Sequence, residues 1–385
     1  MTTPETTPTT VTIEGFHPHR EHRVRFECAH GVITHIEDLF EQNEARHEQD
    51  LVLPGLIDLQ VNGFAGVDVM TCDEDEFHAM TIALARRGTT AFLPTLISTP
   101  LDSMRERITT LAEWLENVPR CAAQPLGLHL EGPFLAKSKR GAHPTEGISE
   151  ARPEALELLL DAGRGNVRLV TLAPELPGAD ALIDICIERD IVVALGHSDA
   201  TFDEAARAVH RGSLACTHFG NAMRAFHHRE PGLTGAVLAL PEVSACVIPD
   251  GIHVHDAVLE ILHRAKGPRG VILVSDAIAA ADLEDGTYRL ANTEVTVEDG
   301  VCRNADGVLA GSSLILLDGV LHYARVTGAG LREVIAVSSG NAARLVGLTD
   351  RDLNEGSRAD LIHLVRHDET WSLDRTIVGG IEVRP

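Results

Sequence analysis

Four side chains that could bind a metal ion and move a proton stand at the ends of four separate apolar runs. Glu131, His197 and His218 supply one carboxylate and two imidazoles. This set is typical of a catalytic divalent-metal site that keeps a position for water. Asp276, at the end of another run, could take a proton from that water and return it to a leaving group. A single strand-end histidine is more often hydrogen-bonded than a ligand, so the prediction of metal-assisted hydrolysis depends on the whole set.

These runs belong to a longer series between Leu53 and about Ala280, in which short apolar runs alternate with helical segments. The eight runs begin near Gly55, Thr89, Pro125, Asn166, Ile191, Leu214, Ser244 and Gly270. Uninterrupted apolar runs are typical of buried parallel strands, and eight strand–helix units close a (β/α)8 TIM barrel. The strand ends of such a barrel meet at one face, where the four side chains would converge. An open doubly wound sheet is the alternative, but the first run lacks its glycine-rich fingerprint.

Helix punctuation between the runs supports the same architecture. Thr201 and Glu204 form a capping-box pattern that predicts the start of a helix, and Gly212 can end it. Pro153 stands where another helix should begin. Pro100 precedes a segment whose apolar spacing predicts one buried helical face.

The two ends of the chain differ from the middle because both are rich in short β-like pieces. We expect residues 1–10 to form a disordered tail. Residues 11–52 and 350–385 should pair into one small β-sandwich domain, and residues 53–349 should form the catalytic barrel. The fold class is therefore α/β, with a barrel flanked by a domain built from both termini.

Composition limits the partners and the compartment. The 57 acidic and 33 basic residues give a net charge of −24, which disfavours nucleic acids and anionic membranes as partners. The seven cysteines are scattered, which argues against a disulfide framework or a thiolate zinc site. The N-terminal residues lack the basic and apolar stretches of a secretory signal. We therefore expect a cytoplasmic protein.

Further polar residues have both a functional and a structural interpretation. His143 lies in a basic loop that could be a lid over the third strand or simply an exposed turn. His253 stands beside Asp250 and could contact a substrate, whereas we expect surface exposure for His255. Arg229 lies in a histidine-flanked loop that a solvated turn would equally explain.

Several motifs occur in a fixed order and cover about Pro54 to Leu314: PGLIDLQVNG, LGLHLEGPF, TLAPE, GHSDAT, THFGNAM, REPGLTG, DGIHV, SDAIAA and LAGSSL. In this order, and with the β-rich tail, the chain resembles the N-acetylglucosamine-6-phosphate deacetylase family of the amidohydrolase superfamily. The resemblance implies metal-dependent removal of acetate from the 2-acetamido group of a phosphosugar.

The resemblance also implies a role for individual residues. Glu131, His197 and His218 would hold one divalent metal ion per subunit, with zinc expected and iron, cobalt or manganese as alternatives. Asp276 would be the general acid and base. Substrate contacts would come from His143, Asn221, Ala222, Arg229, His253 and the segment Leu309, Ala310, Gly311 and Ser312. Arg229 and His253 would bind the phosphate, in the family partly across a homodimer interface.

Two positions depart from common patterns. Many amidohydrolases carry H-x-H on the first strand for a second metal, where this chain has Gln60 and Asn62, so we expect a single metal. Gly220 replaces a larger residue and could widen the pocket. The alternative functions are another single-metal amidohydrolase acting on a related N-acyl amino sugar, and an inactive barrel that serves as a scaffold. The scaffold predicts loss of at least one of the four principal residues, and all four are present.

Overall fold

The computed structural model describes residues 10–39, 49–368 and 370–385. The predicted disordered tail therefore lies outside the described residues, except for Thr10. Within these ranges the strands are β1 Val11–His17, β2 His22–Ala29, β3 Val32–Leu39, β4 Asp50–Pro54, β5 Leu56–Val61, β6 Gly63–Phe64, β7 Val67–Asp68, β8 Thr89–Ile97, β9 Gln124–Pro125, β10 Leu128–Glu131, β11 Val167–Leu172, β12 Val192–Leu195, β13 Ala215–Cys216, β14 Ser244–Val247, β15 Val271–Leu273, β16 Gly286–Leu290, β17 Thr293–Glu298, β18 Val301–Asn304, β19 Leu361–His367, β20 Thr370–Val378 and β21 Ile381–Val383. The α-helices are α1 Glu74–Arg86, α2 Leu101–Trp114, α3 Pro153–Ala162, α4 Ala179–Glu188, α5 Phe202–Arg211, α6 Gly232–Ala239, α7 Asp256–Lys266, α8 Leu316–Thr327, α9 Leu331–Ile335 and α10 Asn341–Leu345.

The central sheet is the predicted parallel barrel. Its strands follow the order β5, β8, β10, β11, β12, β13, β14 and β15, and each coincides with one of the predicted runs. A parallel bridge between Val61 and Ala277 connects the last strand region back to the first. The backbone amide of Asn62 donates a hydrogen bond to the Ala277 carbonyl at 2.8 Å. The (β/α)8 architecture is thus confirmed.

The helices begin where the sequence patterns place them. Thr201 and Glu204 form a complete capping box at the start of α5, and Gly212 follows its last residue. Pro153 is the first residue of α3. Helix α2 begins after Pro100 and buries one face that includes Met104, Ile108 and Leu111. Local signals therefore set these boundaries, and burial of the apolar face against the strands stabilises the helices.

Strands from both ends of the chain pair with each other, as predicted, and they form one seven-stranded sheet. Its order is β21, β20, β19, β4, β1, β2 and β3, so C-terminal and N-terminal strands meet between β19 and β4. Phe26, Ile33 and Ile377 belong to its own hydrophobic cluster. The predicted domain boundary at residue 52 falls within β4, because this strand continues to Pro54.

An antiparallel sheet of β16, β17 and β18 is inserted after the eighth barrel strand. The sequence patterns described above did not predict it. The last residue of β16, Leu290, reaches the cavity at the mouth of the barrel, and so do Val308 and Leu309 beyond β18. The insertion therefore contributes to the site as well as to the fold. Separately, none of the helices in the described residues is long and apolar enough to cross a membrane.

Asp360 holds together the segment that leads from the barrel into β19. Its Oδ2 atom accepts hydrogen bonds from Arg351 and, at 2.9 Å, from Arg358 Nε. Its Oδ1 atom accepts one from the Gly379 amide at 2.7 Å. Burial, followed by the charge of Arg358, lowers the pKa of Arg351 to about 10, so this guanidinium depends on its carboxylate partner.

Replacing Asp360 by Ala should lower the free energy of unfolding by about 3 kcal/mol, because it removes the buried carboxylate that pairs with the Arg351 guanidinium and leaves only an exposed carboxylate near it. Urea unfolding followed by circular dichroism measures this change. Asp350→Ala is the matched control, since the Asp350 carboxylate is 3.7 Å from Arg351 and its side chain is 56% exposed. The control should lose less than about 1 kcal/mol. Equal losses for both variants would contradict a special role for Asp360.

Candidate metal and substrate site

A cavity of about 550 Å³ lies at the carboxyl ends of the barrel strands. It is lined by ten of the residues that were predicted to bind metal or substrate or to transfer a proton: Glu131, His143, His197, His218, Asn221, Ala222, His253, Asp276, Leu309 and Gly311. They come from the ends of different strands and from the loops that follow them. The barrel therefore brings into one place residues that are up to 180 positions apart in sequence, from Glu131 to Gly311.

The Glu131 carboxylate is the centre of this arrangement. Its Oε1 atom lies 3.1 Å from His197 Nε2 and 3.0 Å from His218 Nε2. The two imidazole Nε2 atoms are 3.0 Å apart, and all three side chains are buried. Burial disfavours a charged carboxylate, yet the interactions with His197 and His218 hold the pKa of Glu131 well below its usual range.

The hydrogen bond of the His197 Nδ1 atom indicates that Glu131 Oε1 and the two imidazole Nε2 atoms suit a cation. His197 Nδ1 lies 2.9 Å from the Lys139 carbonyl oxygen, which can only accept, so this nitrogen carries the proton. When the ring carries only this proton, its Nε2 atom presents a lone pair to the Glu131 carboxylate. Two electron-rich atoms at 3.1 Å are unfavourable unless a positive charge is shared between them. The residues therefore fit a divalent metal site, and Lys139 fixes the orientation of one ligand.

His143 is also close to this cluster. Ligand atoms of Glu131, His143 and His197 lie within 4.8 Å of one another. However, the Ser98 amide donates to His143 Nδ1 at 3.2 Å, so the proton of the neutral ring is on Nε2. Burial, and then the charge of His197, lower the pKa of His143 to about 3, which keeps the ring neutral. His143 Nε2 is 3.8 Å from Glu131 Oε2 and is a hydrogen-bond donor in the cavity, which favours His218 as the third ligand.

Asp276 lines the same cavity and is held by Asn62. The Asn62 Nδ2 atom donates a hydrogen bond to Asp276 Oδ1 at 2.7 Å. Burial, followed by the charge of Glu131, raises the pKa of Asp276 to about 7. A carboxyl group with a pKa near neutrality can both accept and return a proton at the working pH. The Gln60 amide similarly donates to Glu131 Oε1 at 3.1 Å. Gln60 and Asn62, which stand where other amidohydrolases have the two histidines of H-x-H, therefore each hydrogen-bond a carboxylate of the site.

Four of the residues that line the cavity have a left-handed backbone conformation. His197, His218, Ala222 and Asp276 have φ values of 48°, 27°, 50° and 52°. Residues other than glycine adopt positive φ at an energetic cost, and such residues concentrate at functional sites. Here His197, His218 and Asp276 follow the ends of three different barrel strands by two or three residues, and all four residues line the cavity.

The loops after β13 and β14 form the other side of the cavity. The Asp250 carboxylate accepts the His253 Nδ1 proton at 2.6 Å, and both side chains are almost fully buried. Burial disfavours charge on Asp250, but the hydrogen bond from His253 lowers the pKa of this carboxyl. The ring of His253 is thereby fixed with Nε2 left to contact a ligand. Asn221 Nδ2 donates to the His218 carbonyl at 3.2 Å, so this side chain also has a fixed position.

Four residues that were predicted to contact the substrate or to shape the pocket do not line the cavity. Arg229 lies outside the cavity lining, in an exposed loop, with its Nη1 atom 3.0 Å from His228 Nε2. Ala310 and Ser312 are buried beside the cavity, and Ser312 Oγ donates to the Ser275 carbonyl at 2.5 Å. Gly220 is exposed with φ of 87°, and it serves the turn after β13 and does not enlarge the cavity.

Comparison with known proteins agrees with this geometry. The amidohydrolase family model matches residues 51–382. The N-acetylglucosamine-6-phosphate deacetylase of Lysinibacillus sphaericus is 34% identical over 340 residues, covering 86% of this chain and 84% of that protein. The N-acetylgalactosamine-6-phosphate deacetylase of Escherichia coli is 34% identical over 351 residues, covering 89% and 90%. The crystal structure of N-acetylglucosamine-6-phosphate deacetylase from Thermotoga maritima superimposes with a TM-score of 0.87 at 34% identity, covering 97% and 99%. This chain therefore belongs to the amidohydrolase family, and within it to the N-acetylglucosamine-6-phosphate deacetylases.

Proposed function

We propose that this chain hydrolyses the acetamido group of N-acetyl-D-glucosamine 6-phosphate to give D-glucosamine 6-phosphate and acetate. Such a reaction serves amino-sugar catabolism and cell-wall recycling. The observation that carries the proposal is the convergence of Glu131, His197 and His218 with Asp276 in one cavity of a family member. Another N-acyl amino sugar is the alternative substrate class.

Glu131, His197 and His218 would hold one divalent ion per subunit. Two imidazoles and one carboxylate are a common catalytic zinc set, and iron, cobalt or manganese are the alternatives. When bound, the ion supplies Lewis acidity that lowers the pKa of water and polarises the amide carbonyl. The Lys139 carbonyl and the Gln60 amide orient two of these ligands through the hydrogen bonds described above.

Asp276 moves the proton in this proposal. Its carboxylate accepts a proton from the water molecule that attacks the acyl carbon. The same proton passes to the sugar nitrogen as the carbon–nitrogen bond breaks, so the amine leaves without a negative charge. The Asn62 amide keeps the carboxyl in place through this cycle. The Nε2 proton of His143 can be donated to the carbonyl oxygen, which gains negative charge as water adds.

The sugar phosphate would lie on the side of His253 and Asn221. His253 is fixed by Asp250 through its Nδ1 proton, and the imidazolium form of the ring, with a second proton on Nε2, can donate to a phosphate oxygen. Leu309 and Gly311 line the cavity where the sugar ring would lie, and Ala310 and Ser312 hold that segment from behind. Binding of the remote phosphate orients the amide at the reacting centre.

We propose a homodimer in which Arg229 of one subunit reaches the phosphate site of the other. In one chain Arg229 is exposed beside the loop that carries Asn221, outside the cavity lining. Phe226, in the same loop, is the most exposed large apolar side chain among the described residues, at 58%, and such a side chain suits a protein interface. Such an interface would bring the guanidinium to an anion that it does not meet within its own chain.

Arg229→Ala should raise the KM for phosphorylated substrate roughly 10- to 100-fold, the value of one or two lost charged hydrogen bonds. The KM for unphosphorylated N-acetylglucosamine should change little. Steady-state kinetics with both sugars measures the two effects. Arg264→Ala is the matched control, because Arg264 is exposed on α7 and pairs with Glu260. Equal effects of Arg229→Ala on both sugars would argue against a phosphate contact.

Mixed dimers test whether Arg229 acts across the interface. A dimer of one Arg229→Ala subunit and one Asp276→Asn subunit would contain one site with both native residues only if Arg229 is supplied by the partner. Co-expression with two affinity tags allows the mixed dimer to be purified. Recovery of up to half of the wild-type activity per dimer supports the proposal, and activity no higher than that of the Arg229→Ala dimer contradicts it.

An acetate-release assay tests the function itself. It compares N-acetylglucosamine 6-phosphate, N-acetylgalactosamine 6-phosphate and free N-acetylglucosamine. We expect the first to have the highest kcat/KM. Preference for the galacto sugar would reassign the substrate, and absence of acetate release from all three would overturn the proposed function.

We also propose that the enzyme acts in the cytoplasm. All seven cysteines fall within the described residues and are free thiols, as is usual in a reducing compartment.

A further inference from the structure

Three apolar side chains form a continuous patch on one side of the cavity. Ile97, Ala142 and Leu290 all line it and belong to one hydrophobic cluster. We call these three residues the acyl wall. Most of the other lining residues are charged or polar, and the remaining large apolar ones are Met223, Val308 and Leu309.

The acyl wall lies next to the reacting groups. Ile97 is the last residue of β8 and pairs in register with Glu131 on β10. The following residue, Ser98, donates through Oγ to the Glu131 carbonyl at 3.2 Å and through its amide to His143 at 3.2 Å. Ala142 directly precedes His143 in the chain. The patch is therefore fixed to the carboxylate and the imidazole between which we place the amide carbonyl.

Two residues of the acyl wall, Ile97 after β8 and Ala142 in the loop after β10, also lie opposite the proposed phosphate side. In the barrel order, β8 and β10 stand four strands away from β13 and β14, on which Asn221 and His253 depend. Four strands is half of the eight-strand circuit. The nitrogen of the scissile amide leads to the sugar and its phosphate, and the acyl substituent leaves the carbonyl carbon in the other direction. A substrate whose phosphate contacts His253 therefore directs its acyl group towards Ile97.

The wall is rigid because it is packed from behind. Ile97 and Leu290 are only 3% and 4% exposed. Their cluster includes Val295, Val297 and Cys302, so the inserted sheet β16–β18 supports the wall. A buried apolar surface of this kind resists displacement, since each added methylene would need space that close packing does not leave.

We infer that Ile97, Ala142 and Leu290 receive the acyl methyl group and set the length of the acyl chain that the enzyme hydrolyses. This inference rests on the proposed deacetylase function and adds to it the residues that select acetyl over longer acyl groups. Discrimination by one methylene in a fixed apolar pocket is typically about 10- to 200-fold in kcat/KM. We expect wild-type enzyme to prefer the N-acetyl over the N-propanoyl substrate within this range.

The test compares N-acetyl, N-propanoyl and N-butanoyl glucosamine 6-phosphate in Ile97→Ala and Leu290→Ala. The readout is the ratio of kcat/KM between acyl chains in one preparation, which is independent of the fraction of folded enzyme. Ile97→Val, a smaller change at the same position, should shift the ratio in the same direction by less. Met223→Ala is the control, because Met223 lines the cavity in the loop after β13, on the sugar side.

We expect both alanine variants to shift the ratio towards the longer chains by about tenfold or more, and Met223→Ala to affect all three substrates equally. Dissociation constants of the same sugars, measured by calorimetry with Asp276→Asn added to each variant, should shift in parallel without turnover. Unchanged ratios, or an equal shift in Met223→Ala, would overturn the inference while leaving the deacetylase function intact. Wild-type enzyme that releases no carboxylate from any of the sugars would overturn both.

Discussion

Asp276→Asn should lower kcat about a thousandfold while the protein keeps its metal ion, within the range that general acid–base groups contribute. The carboxamide has nearly the same shape, so it can still lie against Asn62. It cannot accept the proton of the attacking water at neutral pH, and it cannot deliver that proton to the departing amine. KM should change little because Asp276 contributes no proposed contact to the sugar or its phosphate.

Acetate release and metal analysis together measure this result. Asp282→Asn is a matched control, since Asp282 lies six positions further along the chain and pairs with Arg87 outside the cavity. The control should retain wild-type kcat. A variant Asp276→Asn with more than a tenth of wild-type kcat would refute the proton-transfer role, and one that had lost its metal would show that Asp276 is instead needed for metal binding.

Glu131→Gln should abolish tight metal binding, and activity should fall by at least a hundredfold with it. The Glu131 Oε1 atom is the point at which Gln60, His197 and His218 meet, at 3.0 to 3.1 Å. A neutral amide at this position removes the negative charge that balances a divalent cation in a buried site. An NH2 group in the place of Oε1 would also face the Gln60 amide, which donates to that atom, and would disrupt this hydrogen bond.

Elemental analysis after gel filtration measures the loss. Wild-type protein should hold about one divalent ion per chain, and Glu131→Gln should hold less than about a tenth of that. Two ions per wild-type chain would contradict the interpretation of Gln60 and Asn62. Excess metal in the assay should restore part of the activity of Glu131→Gln but none of that of Asp276→Asn, so the pair separates metal loss from loss of proton transfer.

The barrel was predictable because its signals are local. Each strand lies in a short run that is mainly apolar or β-branched, and residue pairs such as Thr201 and Glu204 mark helix starts within a few positions. The inserted sheet was missed although it had a signal of its own. Thr293–Glu298 alternates polar and apolar residues, and the Asp299-Gly300 turn that follows has φ of 50° and 74°, as a type I′ hairpin requires.

The supporting contacts of the site had no such signal. The Lys139 carbonyl that orients His197 is 58 positions away, and Asn62 and Asp276 are 214 positions apart. The sequence also did not indicate which residues of the LAGS segment line the cavity. Leu309 and Gly311 line it and Ala310 and Ser312 are buried beside it, because the folded chain points alternate residues in different directions.

The sequence by itself determined which chemical groups are available, their order along the chain, and the strand ends on which they stand. These properties follow from residue type and from periodicity over a few residues. Only the tertiary structure decided which imidazole nitrogens carry protons, that His143 presents its Nε2 proton to the cavity, and that Arg229 lies outside its own cavity. The physical reason is that a tautomer, a side-chain direction and a pKa depend on neighbours in space, and those neighbours come from distant strands that only the closed barrel brings together.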